Sequence, residues 1–204
     1  MENLSPENSL RLIAETIERS RNAIAKNSGK PLILWGSLVT VTSVVIWALW
    51  TKTGTPMWNL LWFAMTAIGG ICTYLMIRNQ EKIPESETKR ILGGIWKWFG
   101  FFSIGLYALL WVAALILYAK GDTVVMSINL SLIIALMMGL CGAISGYVMK
   151  MKSVTAAATI ATALSVLLIL LVSDGSPVQI LSFAILGVIA LIIQGIIFQK
   201  SNAK

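Results

Sequence analysis

"PLILWGSLVTVTSVVIWALW", residues 31–50, carries no charge, and it follows closely on "SPENSLRLIAETIERSRNAIAK", residues 5–26, which reads as an amphipathic helix suited to water. About 20 apolar residues in helical form match the ~30 Å hydrocarbon core of a bilayer. The first stretch therefore reads as a transmembrane span and the second as a polar arm in front of it. The rest of the chain repeats the apolar pattern. Hydrophobic residues make up 57% of it and charged residues 12%, against roughly 45–50% and 25% in a soluble domain. Spans are expected at 32–50, 57–76, 95–118, 124–149, 154–172 and 178–198. Long uncharged runs without period-2 alternation favour helices over barrel strands. The fold class is all-α: a polytopic membrane bundle of six transmembrane helices in three hairpins, preceded by a cytoplasmic amphipathic helix. The boundaries are 1–30 for the arm and 31–204 for the membrane domain, with a polar loop at 77–94. A cleavable signal would place a short apolar run within the first 15–30 residues. Here those residues are polar, so the first span is expected to stay in the mature protein.

Charge gives an orientation. Fourteen of the 16 lysines and arginines fall on the arm, the 77–94 loop with Lys97 just beyond it, the turn at Lys150 and Lys152, and the tail. Only Lys52 and Lys120 fall on the other side. By the positive-inside rule both termini face the cytoplasm, as in a multi-pass protein of a bacterial inner membrane. The net charge of +7 reports that topology and attraction to anionic lipid; no nucleic-acid partner is inferred from it.

The spans lack the residues that proton relays and ion pumps place at mid-membrane, and the chain has no histidine. That removes the usual haem and zinc ligand sets, and no cofactor or metal is expected. Glu81, Glu85 and Glu87 stand among lysines as solvated pairs. Asp122 and Asp174 sit in turn sequences, "KGD" and "SDGSP". No serine has a histidine to activate it, so no catalytic residue is assigned and the chain reads as a non-enzyme. Cys72 and Cys141 show no metal or redox spacing.

Three residue sets carry what functional signal remains. Gly139, Gly142 and Gly146 in span four and Gly187 in span six form small-residue faces where a helix backbone can approach closely. The partner is a span of the same chain or a second copy. Thr155, Thr159 and Thr162 put hydroxyls on span five, which with Trp111 in span three form a candidate ligand face. The other tryptophans read mainly as interfacial belts. Leu10, Ile13, Ile17 and Ile24 make an apolar stripe on the arm, with Ser5 as helix cap and Pro6 in its first turn. This stripe can lie on lipid, against the bundle's own loops, on its twin in a homodimer, or on a cytoplasmic regulatory protein.

"NSLRLIAETIERSRN" followed by "LILWGSLVTVTS" resembles the start of a group of uncharacterised bacterial inner-membrane proteins. The likeness covers about the first 45 residues and is carried by Ser9, Leu10, Ile13, Ile17, Trp35 and Gly36. Members of that group are often encoded beside small winged-helix regulators, so the resemblance implies a sensing or regulatory role, without catalytic residues. Two functions follow as expectations. One is a regulatory or scaffolding membrane protein whose arm mediates self-association or partner contact. The other is a small carrier or binding protein for a neutral or apolar molecule.

Overall fold

The computed structural model describes residues 6–78, 87–120, 129–173 and 175–200, with the backbone alone for Pro6, residues 19–28 and Tyr118. Every regular element among the described residues is helical. Six helices are long and apolar enough to cross a membrane. Their outer faces confirm the solvent: Leu140, Leu164, Leu167, Leu170, Ile193 and Ile196 point outward, an arrangement stable only against lipid. The chain is a multi-pass helical membrane protein.

Helix α1 runs from Pro6 to Thr53, 48 residues without a break, or about 70 Å at 1.5 Å per residue. The arm and the first span are thus one rod. The sequence "NSGKP" at 27–31 resembles a helix stop, with glycine at the end and proline beyond. Gly29 has another reason to be there. A Cβ on it would sit 2.7 Å from the Gly195 carbonyl oxygen, so the glycine lets two helices touch. Pro31 lies inside the helix, where it costs one backbone hydrogen bond without ending the rod.

A one-turn 3₁₀ helix at Pro56–Leu60 leads into α2, Leu61–Arg78. Helix α3 is Glu87–Ala119, longer at its start than the expected span. Helix α4 is Leu130–Val148, capped by the Asn129 side chain accepting from the Leu132 N–H. The expected start of span four at 124 lies outside the described residues. Helix α5 is Lys152–Leu171. The last span opens with 3₁₀ turn Pro177–Ile180, then α6, Leu181–Leu186. It widens into a π-helix at Gly187–Ile193 and finishes as α7, Gln194–Lys200. Ser5, Glu81, Glu85, Asp122 and Asp174 also lie outside the described residues, as does the side chain of Ile24.

The most extensive contact is that of α1 along the whole length of the last span, followed by that between α4 and α5. Glycine sets both. On α4, Gly139 faces Thr162, Gly142 lies 3.2 Å (from a built Cβ) from the Ala158 Cβ, and Gly146 abuts Val154 and Thr155. On α1, Gly36 pairs with Gly187 as Gly29 pairs with Gly195, each glycine lying against its partner's carbonyl oxygen. Residue numbers rise on one helix as they fall on the other, so α1 and the last span are antiparallel. Lys30 and Lys200 therefore lie at one end of the bundle, called the basic end below. Helices α2 and α3 flank this core more loosely: α2 rests on α1, and α3 on α4 with a small contact to α1.

Candidate ligand cleft

Between the tight core and the flanking pair lies a cavity of about 1150 Å³. It draws on α1, α2, α3, α4 and the last span, and on no residue of α5. From Lys89 to Ala114 it follows α3 for about 38 Å at 1.5 Å per residue, enough to cross the ~30 Å apolar core.

The α3 side of the cleft is a helical stripe. Lys89, Gly93, Trp96, Gly100, Ser103, Tyr107, Trp111 and Ala114 all line it, at spacings of three and four that put them on one face. Gly93 and Gly100 have nothing within 4 Å of where a Cβ would stand. These two glycines leave space, unlike those of α4.

Five of the eight tryptophans line the cavity: Trp35, Trp50, Trp62, Trp96 and Trp111. Several are pinned by their polar ends. The Trp35 indole N–H donates to the Thr73 hydroxyl at 2.9 Å, and its ring lies on Gly69 of α2. The Trp96 N–H donates to Ser145 Oγ at 3.1 Å, and Ser145 in turn donates to the Cys141 carbonyl at 2.7 Å. The Trp62 N–H reaches the Asn59 side-chain oxygen at 3.3 Å, while its ring meets Phe183 edge-on at 5.4 Å. The Tyr107 hydroxyl donates to the Asn59 carbonyl at 3.0 Å, and its ring stacks obliquely on Phe63 at 5.1 Å. This last pair ties α3 to α2 at the end away from the basic one. Rings held this way present flat apolar surface without losing rotamer freedom when something binds.

Polar groups are few. The Ser103 hydroxyl lines the cavity and is buried without a partner among the described residues. Gln179 turns its amide N–H toward the carbonyls of Ile169, Val172 and Ser173 at 3.4–3.5 Å, completing the end of α5. Among the described residues, two that line the cavity carry a charge, Lys89 and Lys97, both near the start of α3.

The residues singled out from sequence are placed as follows. Trp111 lines the cleft. Thr155, Thr159 and Thr162 do not join it, because α5 stands behind α4. Thr155 and Thr162 touch α4 at Gly146 and Gly139, and Thr159 is exposed, its hydroxyl donating to the Thr155 carbonyl of its own helix at 2.9 Å. The proposed hydroxyl face and Trp111 therefore do not form one site. Gly139, Gly142, Gly146 and Gly187 are covered from within the chain by α5 and α1. Leu10, Ile13 and Ile17 are 68%, 56% and 62% exposed, so the arm's stripe does not rest on the described part of the bundle. Trp35, Trp62, Trp96, Tyr107, Asn59 and Lys97 were assigned no ligand role from the sequence, yet they shape the cleft. Their signal was the three-and-four spacing along α3 and the pairing of tryptophan with a hydroxyl or amide on a neighbouring helix. No family model, curated protein or solved structure matches the chain.

Proposed function

We propose that the chain is a membrane-embedded binding protein or carrier for a molecule with a largely apolar body, held in the aromatic cleft. The observation that carries this reading is a full-depth cavity walled by pinned rings and widened by two glycines that touch nothing. Its volume of about 1150 Å³ lies just above the ~300–1,000 Å³ usual for small-ligand pockets. The reading includes no covalent chemistry: among the described residues the lining offers ring faces, hydroxyls, amides and two lysines, and no carboxylate. The distribution of lysine and arginine supports a cytoplasmic position for both termini.

Native mass spectrometry of the full-length protein in uncharged detergent tests it. Dodecanol, added as an apolar probe, is expected to bind the native chain. Gly100→Leu or Gly93→Leu, whose added Cβ meets no neighbour and whose longer side chain fills the cleft, are expected to lower its retention at least about tenfold. A native chain that retains no dodecanol at saturation overturns the proposal.

A regulatory or scaffolding role is a second reading, and one observation favours it. The exposed stripe of Leu10, Ile13 and Ile17 stands on the same continuous helix as Trp35 in the cleft wall. A ligand that tilts α1 would move the arm as a lever. On this reading the arm joins a second copy or a cytoplasmic protein. Replacing Leu10, Ile13 and Ile17 together by Glu should convert a dimer into a monomer, read by the same mass spectrometry. An unchanged oligomeric state, and an unchanged partner captured from cells, would count against it.

A further inference from the structure

The two ends of the cleft differ in how α2 and α3 meet. The ties between these helices that the described residues show lie at the end away from the basic one. There the Tyr107 hydroxyl donates to the Asn59 carbonyl and the Tyr107 ring meets Phe63. Toward the basic end, Gly93 and Gly100 have open space where a Cβ would stand. Beside that space α2 and α3 turn Ile71, Leu75, Trp98 and Phe101 outward, so the cleft is continuous there with the lipid-facing surface. The wall itself asks little of an occupant. The indoles of Trp35, Trp96 and Trp62 are bonded to Thr73, Ser145 and Asn59, and the Thr66 hydroxyl donates to the Trp62 carbonyl at 2.8 Å.

Dimensions narrow the choice of occupant. A volume of about 1150 Å³ spread over about 38 Å of α3 leaves a mean bore of about 30 Å². An α-helix needs a section of roughly 80–110 Å², so no helix of a partner or of a second copy fits, whereas one hydrocarbon chain does. The acyl chain of an ordinary bilayer lipid crosses one leaflet, about half of the ~30 Å apolar core. Laid along α3 from Gly93, such a chain ends near Ser103, about 15 Å on at 1.5 Å per residue. Past that point the cleft continues along Tyr107, Leu110, Trp111 and Ala114 for about another 16 Å. In this far half the tie between α2 and α3 bars entry from the side. Whatever fills it has come through the near half.

Resting on the cleft reading above, we infer that the occupant is a polyisoprenoid lipid, a single methyl-branched hydrocarbon chain longer than one leaflet. Its polar end stays in the leaflet at the basic end, and its chain threads past Trp35 and Trp96 to Trp111. Length selects it over a phospholipid, whose acyl chains stop at mid-depth. Bore selects it over a helix. The planar double bond of each isoprene unit lies flat against an indole face, a contact that a saturated chain makes less well. Entry is lateral, between α2 and α3 at the level of Gly93 and Gly100.

The full-length protein in uncharged maltoside detergent is titrated with neutral prenols of rising length, farnesol, geranylgeraniol and solanesol, and bound ligand is read by native mass spectrometry. The native chain is expected to retain solanesol at least about tenfold better than farnesol, and dioleoyl phosphatidylcholine should not displace it. Ala114→Phe, which blocks the far end, should bring solanesol down to the farnesol level and leave farnesol unchanged. Leu110→Trp, on the same stretch of wall, is the second variant should the first fail to fold. Gly93→Leu should weaken every prenol. Equal retention of farnesol and solanesol overturns the polyisoprenoid, as does an unchanged solanesol signal in a far-end variant that melts normally. The cleft reading then stands as long as dodecanol still binds and Gly93→Leu still weakens it. Displacement of solanesol by an equal concentration of dioleoyl phosphatidylcholine also overturns the inference, because the cleft would then serve ordinary acyl chains. If neither a prenol nor dodecanol is retained, or Gly93→Leu changes neither in a folded bundle, both readings fall.

Discussion

Two halves of this bundle use glycine in opposite ways. In α1, α4 and the last span, all seven glycines within the membrane helices (29, 36, 139, 142, 146, 187 and 195) have a neighbouring atom within 4 Å of a built Cβ. In α2 and α3, five of six have none, and the sixth, Gly69, meets only the Trp35 ring. The first half spends small residues on helix-to-helix contact, the main source of association where lipid is as apolar as the side chains. The second half spends them on empty space. A membrane protein needs no cavity to be stable, so the loose half is where function is to be sought and the tight half is its frame.

The contrast makes its strongest statement at Gly36. Its missing Cβ would stand 2.7 Å from the Gly187 carbonyl oxygen and equally close to the Ile192 side chain. Backbone cannot move aside as a flexible side chain can. Gly36→Leu should therefore cost about 3 kcal/mol or prevent folding altogether. Gly100→Leu, one of the cavity glycines, should stay within about 0.5 kcal/mol. Unfolding midpoints in mixed micelles decide the matter. If the two substitutions cost the same, the division into frame and cleft is wrong.

Trp35 bridges the halves, with its ring on Gly69 and its N–H on Thr73, 38 residues along the chain. It is only half-buried, so Trp35→Ala should cost less than the 3–5 kcal/mol typical of a fully enclosed aromatic, about 2 kcal/mol. Thr73→Val removes the hydrogen bond alone and should cost about 0.6 kcal/mol, the mean for such bonds between membrane helices. The same micelle titration gives both values. A Thr73→Val cost near that of Trp35→Ala would mean that polarity, and not ring contact, ties α2 to the core.

How far these features could be read from sequence depended on where each one's partner lies. The six spans depend on local composition, so they were plain from runs such as 31–50. That the arm and the first span share one helix was not legible, because "NSGKP" carries the local marks of a helix end, while Gly29's partner, Gly195, is 166 residues away. Trp111 was noticed for lying in mid-span. Trp35 and Trp96 were read as belt residues, since nothing local announces a hydroxyl at Thr73 or Ser145. The α3 stripe was fully present in the sequence. It escaped because its members are glycine, aromatic and hydroxyl residues, which a polarity-based search for a site does not weigh. Thr159 failed in the opposite direction: it looked polar in an apolar span, but its hydroxyl is satisfied one turn back.

Gln194 gives the tight half a change of sign. It follows the π-helical segment, is 1% exposed, and neither end of its amide has a partner among the described protein groups. Its oxygen is 3.6 Å from where a Gly142 Cβ would be. Leaving such a group unsatisfied costs about 1–3 kcal/mol. Gln194→Leu should therefore stabilise the bundle by about 1 kcal/mol, read as a rise in the unfolding midpoint. A fall instead would mean that ordered water holds the amide, and that the π-helix keeps a polar pocket open inside the frame.

The smallest effect is expected at Thr159. Its side chain faces outward, and its hydroxyl donates to the Thr155 carbonyl, a bond that masks the oxygen from lipid. Valine has nearly the same shape and brings no unpaired group, so Thr159→Val should alter stability by less than about 0.5 kcal/mol. Ligand retention should not change, because α4 stands between this residue and the cleft. Thr162, half-buried against Gly139 three residues on, has no such freedom, since a substitution there must be absorbed at a helix contact. If Thr159→Val released bound dodecanol while leaving the unfolding midpoint unchanged, the binding surface would have to be moved from the α2–α3 wall to the outer face of α5.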